Sequence, residues 1–237
     1  MPTPRPAAIV FDTFGTVVDW RTSLIADLTA FGQSRRVTAD WTGLVDGWRA
    51  AYQPSMQRVR SGEVRWAPLD DLHRESLDRL VAEFGITGLS EDDLGHINRG
   101  WHRLNPWPDS VPGLIRLKAR FIIGPLSNGN VALLVNMAKR AGLPWDMVFG
   151  ADVFGRYKPD PETYLGVARL LDLEPGQVMM AAAHNGDLAA ARKCGLLTAF
   201  FPRPAEYGPH QTRDFKADAA WDVVATDIED LARQLGA

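Results

Sequence analysis

Cysteine is almost absent from this chain: Cys194 is the single one among 237 residues, so no internal disulfide can form and the fold rests on its own core. Cys194 lies in an Ala-rich helical stretch without a nearby His partner and reads as a core residue. Long hydrophobic runs are missing too. No stretch approaches the ~20 apolar residues of a bilayer-spanning helix, and Met1-Pro2-Thr3-Pro4-Arg5-Pro6 carries no apolar signal segment. A cytoplasmic protein without a membrane partner is the expectation. An excess of one charge sign is lacking as well, because 26 basic and 29 acidic residues are well mixed and leave a formal net charge of -3. That balance offers no footprint for nucleic acid. There is no internal repeat, no low-complexity tract and no Gly-x-Ser-x-Gly elbow, which argues against a serine hydrolase.

What is present is enough apolar material, 46% of the residues, to bury one large domain or a core with an insertion. A small-molecule partner is expected. The most informative residue is Asp12. It ends the apolar run Ala7-Ala8-Ile9-Val10-Phe11 and leads into Thr13-Phe14-Gly15-Thr16. A buried strand that stops at a carboxylate and then turns through Gly presents that carboxylate at the carboxyl edge of a parallel sheet, where open α/β folds bind ligands. That is a place for a nucleophile.

After Thr16 the texture changes. Helical patterns occupy Leu24 to Phe31, Trp41 to Arg60, Pro68 to Phe84 and Glu91 to Leu104, and no strand is expected until about Asn105. From Pro108 the rhythm is strand, loop, helix, with strands at Phe121 to Leu126, Met147 to Phe149, Val178 to Ala183, Thr198 to Phe201 and near Ala219 to Val224. The expected fold is α/β: a Rossmann-like, doubly wound parallel sheet with an inserted helical cap. Residues 1–18 and 108–237 form the core and 19–107 the cap, with Pro106-Trp107-Pro108 as the stiff return hinge.

Three further polar loops follow predicted strands and emerge on the edge of Asp12: Ser127-Asn128-Gly129-Asn130, Tyr157-Lys158-Pro159 and His184-Asn185-Gly186-Asp187. Singly each has an ordinary reading. Ser127-Asn128-Gly129 suits a helix-capping turn, Lys158 a solvated surface, Asp187 a helix N-cap, and Phe14 and Trp66 a core. Their order and spacing together are far more specific than any one of them.

In that combination the chain resembles the haloacid dehalogenase superfamily over nearly its whole length. Asp12-Thr13-Phe14-Gly15-Thr16 looks like the nucleophile motif, Leu126-Ser127-Asn128-Gly129 the second, Lys158-Pro159 the third and Asn185-Gly186-Asp187 the fourth. Within the superfamily it is closer to the type II L-2-haloacid dehalogenases, which carry an aromatic two residues after the nucleophile and a helical cap. The magnesium-dependent phosphatases are the alternative. They need a second Asp at the position of Phe14 to protonate the leaving alcohol, and an acidic cluster to hold the metal. Halide leaves without a proton and a monoanionic carboxylate needs no divalent ion, so neither metal nor cofactor is expected.

The resemblance implies a halogenated carboxylate as substrate and a covalent displacement by Asp12. It assigns Thr16 and Asn128 to orienting Asp12. Ser127, with backbone amides of the loop that includes Thr13, takes the substrate carboxylate. Lys158 and Asp187 serve the hydrolytic water, and Tyr164 matches a family tyrosine at the same offset from Lys158. Arg49, in the pair Trp48-Arg49, corresponds to the halide-receiving arginine; a surface helix arginine is its ordinary reading. Trp66 corresponds to an aromatic beside the halide, and Trp20 with Phe14 completes an apolar wall.

One departure stands out. The usual fourth motif is Ser-Ser-Asn-Ala-Trp-Asp, whereas this chain has Ala182-Ala183-His184-Asn185-Gly186-Asp187. His184 then either helps activate water or donates to the halide, with Asn185 beside it in the substrate-binding set. The Ala-His-Asn-Gly-Asp pattern is similar to dehalogenases that accept small haloacetates, fluoroacetate included. A homodimer is compatible with the family, though no interface signature is visible. A catalytically inert binding protein of the same fold would not need Lys158 and Asp187 together.

Overall fold

The computed structural model describes residues 5–237; the first four residues of the amino-terminal segment considered above lie outside it. The elements in chain order are β1 (Ala8–Phe11), β2 (Val18–Asp19), α1 (Trp20–Arg35), α2 (Trp41–Arg60), α3 (Leu69–Glu83), α4 (Glu91–Asn98), a 3-10 turn (Arg99–Arg103) and β3 (Asn105–Pro106). They continue with α5 (Ser110–Lys118), β4 (Ile122–Pro125), α6 (Val131–Ala141), α7 (Ala151–Phe154), α8 (Pro161–Leu170), β5 (Val178–Ala182), α9 (Asn185–Lys193), β6 (Leu197–Phe200), β7 (Val223–Val224) and α10 (Ile228–Gln234).

The main sheet is parallel throughout, in the order β4-β1-β5-β6-β7. All four residues of β1 and all five of β5 are buried. These strands show no alternation because helices cover both faces, so every side chain points into apolar packing. From β1 the chain proceeds to β4 on one side, and β5 then pairs on the other. Asp12 therefore leaves β1 at the point where strand order reverses, and the crevice there is the ligand site of an open α/β sheet.

Helices α1 to α4 form the inserted cap. Their starts are encoded locally: Asp19 and Asp40 accept hydrogen bonds from the N–H groups of Thr22 and Gly43, and Ser90 with Asp93 forms a capping box. The cap interior is aromatic. Trp101 stacks on His73 at 4.4 Å and packs edge-on against Trp48 at 5.6 Å, and all three are buried. Burial drops the His73 pKa to about 3, so its ring is neutral, and among the described residues neither ring nitrogen has a hydrogen-bond partner. Trp101→Ala is expected to destabilise the protein by about 3–5 kcal/mol through loss of this packing. Urea unfolding checks it, and a change below about 1 kcal/mol would place the cap's stability elsewhere.

Three expectations need correction. The stretch after Thr16 is not strandless: β2 pairs antiparallel with β3, side by side where the chain leaves and returns to the sheet. Met147–Phe149 is not a strand and makes only one isolated bridge, Leu126 to Phe149. The reason lies in β4, where the Ile123 N–H is taken by the Asp146 carboxylate at 2.9 Å and Pro125 has no N–H to offer that edge. Cys194 closes α9 half-buried against the core rather than inside it. Among the described residues, no helix is long and apolar enough to cross a membrane.

Candidate active site

Asp12 occupies the floor of a cavity of about 410 Å³ between the sheet edge and α2. The loops after β1, β4, β5 and β6 and the segment of Lys158 each contribute a side chain, and the cap contributes Arg49 and Tyr52. The turn after Asp12 is held from behind. Gly15 adopts φ +84°, open to glycine at little steric cost, and Arg203 donates to the Thr16 carbonyl while forming a two-point ion pair with Asp109 at 2.7 and 2.8 Å.

The Asp12 carboxylate is almost fully engaged. Its Oδ2 accepts from the Thr16 hydroxyl at 2.7 Å and faces His184 Nδ1 at 2.9 Å, while Oδ1 accepts from Lys158 Nζ at 3.0 Å. The Thr16 hydroxyl has a single orientation, since its oxygen also accepts the Ala183 N–H at 3.0 Å. Two donors fill the lone pairs of Oδ2 and one donor leaves a lone pair on Oδ1 free. Burial alone would raise the Asp12 carboxyl, but the Lys158 charge and the bonds from His184 and Thr16 reverse this and hold it far below the ordinary carboxylate range.

Lys158 also donates to Asp187, whose other oxygen accepts from Tyr164 Oη at 2.5 Å. Burial would lower the lysine, yet the charges of Asp12 and Asp187 keep it well above its usual value and fully protonated. Asp187 shares that one ammonium with Asp12; burial, reinforced by the neighbouring Asp12 charge, raises its carboxyl. The lysine nitrogen lies where a cation between the two aspartates would sit. Among the described residues no cluster of three His, Cys, Asp or Glu side chains is arranged to hold a metal ion.

Several expected residues line the cavity: Asp12, Phe14, Arg49, Asn128, Lys158, Tyr164, His184 and Asp187. Phe14 also projects into the cap's aromatic interior, edge-on to Trp101 at 5.6 Å and Tyr52 at 6.2 Å. The position where an acid would stand is committed to packing. Arg49 is no surface arginine. Its side chain is only 12% exposed, with the guanidinium over the rings of Tyr52 and Trp20 at 4.5 and 5.2 Å, and its Nη1 has no partner among the described residues.

Others are placed differently. Asn128 does not reach Asp12: its Oδ1 accepts the Lys158 backbone N–H at 2.7 Å, so it orients the lysine instead. Trp66 packs at a tilt against Tyr157 with ring centroids 4.9 Å apart, is 38% exposed and does not line the cavity. Trp20 lies behind the wall, stacked on Trp101 at 6.2 Å. Thr13 is buried, its hydroxyl without a partner among the described residues, and the Ser127 hydroxyl accepts the Gly129 N–H at 3.2 Å. Asn185 anchors the loop of Asp214 to Trp221 through five hydrogen bonds and is not among the residues lining the cavity. At Gly186 nothing lies within 4 Å of where a Cβ would be, so the position of the family's tryptophan is open space.

Sequence reasoning passed over Glu206, which is 1% exposed and accepts from or faces His184, Trp20 and Arg49. The signal was available: Glu206 follows the strand that ends near Phe200, on the same sheet edge as the other loops. It went unnoticed because Pro202-Arg203-Pro204-Ala205 separates it from that strand.

A family described as haloacid dehalogenase-like hydrolase matches residues 6–195. The crystal structure of the L-2-haloacid dehalogenase PA0810 is 53% identical, with a TM-score of 0.95 over 98% of this chain and 99% of that one. The defluorinating L-2-haloacid dehalogenase Rha0230 is 51% identical, with a TM-score of 0.95 over the full length of both. The (S)-2-haloacid dehalogenase of Xanthobacter autotrophicus is 28% identical over 197 residues, 81% of this chain and 73% of that protein. A strand-edge aspartate with an aromatic in place of the acid agrees with what these similarities establish: the chain belongs to the haloacid dehalogenase-like hydrolases, on the branch of the L-2-haloacid dehalogenases.

Proposed function

We propose that this chain hydrolyses short 2-haloalkanoic acids, haloacetates and L-2-haloacids, to 2-hydroxy acids through an ester on Asp12, acting in the cytoplasm. The observation that carries the reading is a buried, ionised carboxylate with one lone pair on Oδ1 left free by the described residues, in a cavity that Arg49 also lines. The similarity to a defluorinating enzyme at 51% identity supports fluoroacetate as one substrate. Residues 19–107 serve as the cap and 1–18 with 108–237 as the catalytic core.

In the first step Asp12 Oδ1 forms a bond to the halogen-bearing carbon from behind, and the halogen leaves with the bonding pair as halide toward Arg49. A chiral carbon inverts. Ser127 and the amides around Thr13 take the substrate carboxylate, and Phe14 with Tyr52 keeps water from the reacting carbon. In the second step water adds to Cγ of Asp12 and Asp187 takes its proton. The Cγ–Oδ1 bond then breaks, Lys158 protonates the departing alkoxide, the proton on Asp187 returns across its hydrogen bond to Lys158, and the water's second proton, left on the new Asp12 carboxyl, is lost to solvent as that strongly acidic group ionises again. Asn128 and Tyr164 hold this pair in place.

The product oxygen is thereby an oxygen of Asp12. With enzyme in excess over chloroacetate in H2-18O, the first turnover is expected to give unlabelled glycolate and one label in the Asp12 peptide. Labelled glycolate in that first turnover means direct attack by water and overturns the covalent route. The phosphatase alternative finds no support, since Phe14 is packed into the cap.

A further inference from the structure

His184 is held at both ring nitrogens. Nδ1 lies 2.9 Å from Asp12 Oδ2 and Nε2 lies 2.8 Å from Glu206 Oε2. Flanked by two carboxylates, the ring donates to both, and although burial alone would lower it, the Glu206 charge and the bonds to Asp12 and Glu206 raise its pKa well above the ordinary value. Among the described residues the Glu206 carboxylate meets His184, Trp20 and Arg49: its second oxygen accepts from Trp20 Nε1 at 3.1 Å and lies 3.6 Å from Arg49 Nη2. Space for it was made in the nucleophile's own turn, because a Cβ on Gly15 would meet the Glu206 carboxylate at 2.1 to 2.7 Å. Burying a carboxylate this deeply is expensive unless donors and opposite charge compensate it, and here those are His184, Trp20 and Arg49.

We propose that Glu206 is a positioning residue for the hydrolytic half of the reaction, fixing His184 so that its Nδ1–H remains on Asp12 Oδ2 where negative charge appears when water attacks the ester. The inference rests on the aspartyl-ester reading above. The chemistry of the two steps separates its effects. During displacement, charge drains from the Asp12 carboxylate to the halide, so a donor on Oδ2 stabilises the ground state more than the transition state. During hydrolysis, the water oxygen bonds to Cγ, the C=O pair moves onto Oδ2, and the same donor strengthens as the oxyanion forms. Thr16 supplies the second donor to that oxygen. When the intermediate collapses the pair returns to carbonyl and the Cγ–Oδ1 bond breaks.

The test is Glu206→Gln with chloroacetate, reading steady-state kinetics and, after rapid quenching, the mass of the intact protein. The expected result is a kcat lowered by about tenfold or more, as for a weakened oxyanion donor, with kcat/KM changed by less than about threefold and the ester on Asp12 accumulating. On a His184→Asn background, Glu206→Gln should add nothing further. Equal losses in kcat and kcat/KM without an adduct, an unchanged kcat, or effects that multiply in the double variant would each overturn the proposal. If the variant does not fold, the wild-type imidazole decides. Proton NMR at pH 7 should show N–H signals on both His184 nitrogens, and a single one overturns it. Failure of the underlying reading is distinct, since the wild-type enzyme would then release no halide and form no adduct.

Discussion

Asp12→Asn is expected to abolish halide release from chloroacetate, bromoacetate and fluoroacetate, with a loss of about ten-thousandfold or more in kcat/KM and no covalent adduct. The size follows from the geometry. Asp12 is the carboxylate whose remaining lone pair on Oδ1 faces the cavity, and every group around it is arranged to keep it ionised. An amide oxygen is a far weaker nucleophile, and no neighbour can restore the charge. Asn also keeps the size of Asp and accepts from Thr16 or Lys158, so the fold should persist. The comparison is made with EDTA present, and circular dichroism verifies folding. Retention of more than about one part in a hundred of wild-type turnover by the folded variant would mean that another group performs the displacement.

Lys158→Met has the second largest expected effect, and it reaches both activity and stability. The ammonium neutralises Asp12 and Asp187 at once, and the side chains of all three are nearly buried. Met fills similar volume without charge, leaving two carboxylates facing each other in a desolvated site. Removing one partner of a buried pair costs about 3–5 kcal/mol, and turnover at pH 7 should fall by about a thousandfold because the nucleophile and the alkoxide's proton donor are both compromised. The pH dependence has a definite sign. In the wild type Asp12 is held below its unfolded value, so its contribution is present at neutral pH and is lost as pH falls far into the acid range. Lys158 is held above its unfolded value, and its contribution is lost as pH rises through that raised value.

In the Met variant the sign for Asp12 reverses, and Asp187, already raised in the wild type, rises further. Burial and mutual repulsion raise them, the folded state binds more protons than the unfolded one, and stability rises as pH is lowered. Urea midpoints at pH 5 and pH 8 should therefore diverge, with the variant closer to wild type at pH 5, while its residual activity improves toward alkaline pH. A variant equally destabilised at both values would show that Lys158 contributes packing rather than charge.

The elements that were readable in the sequence share one property: each rests on local physics. The unbroken apolar run into Asp12 is a covered parallel strand, and Asp19, Asp40 and Ser90 mark helix starts through their own side chains. Met147–Phe149 was misread because its apolar texture is that of a strand, while the fault lies in its neighbour, where Pro125 and the Asp146 side chain withhold two hydrogen bonds. Trp66 was misplaced since a motif position fixes an offset along the chain and not the direction of a ring on a loop.

By itself, then, the sequence determined the parallel core, the helical insertion and the strand-edge positions of Asp12, Lys158, His184 and Asp187, because strand ends and turn residues are encoded within a few neighbours. Only the tertiary structure decided which of these groups touch. It turned Asn128 toward the Lys158 backbone, packed Phe14 into the cap, and brought Glu206 across 22 positions of chain to His184. Such contacts join elements far apart in sequence, and what selects them is the joint burial of charges that cannot remain unpaired once water is excluded.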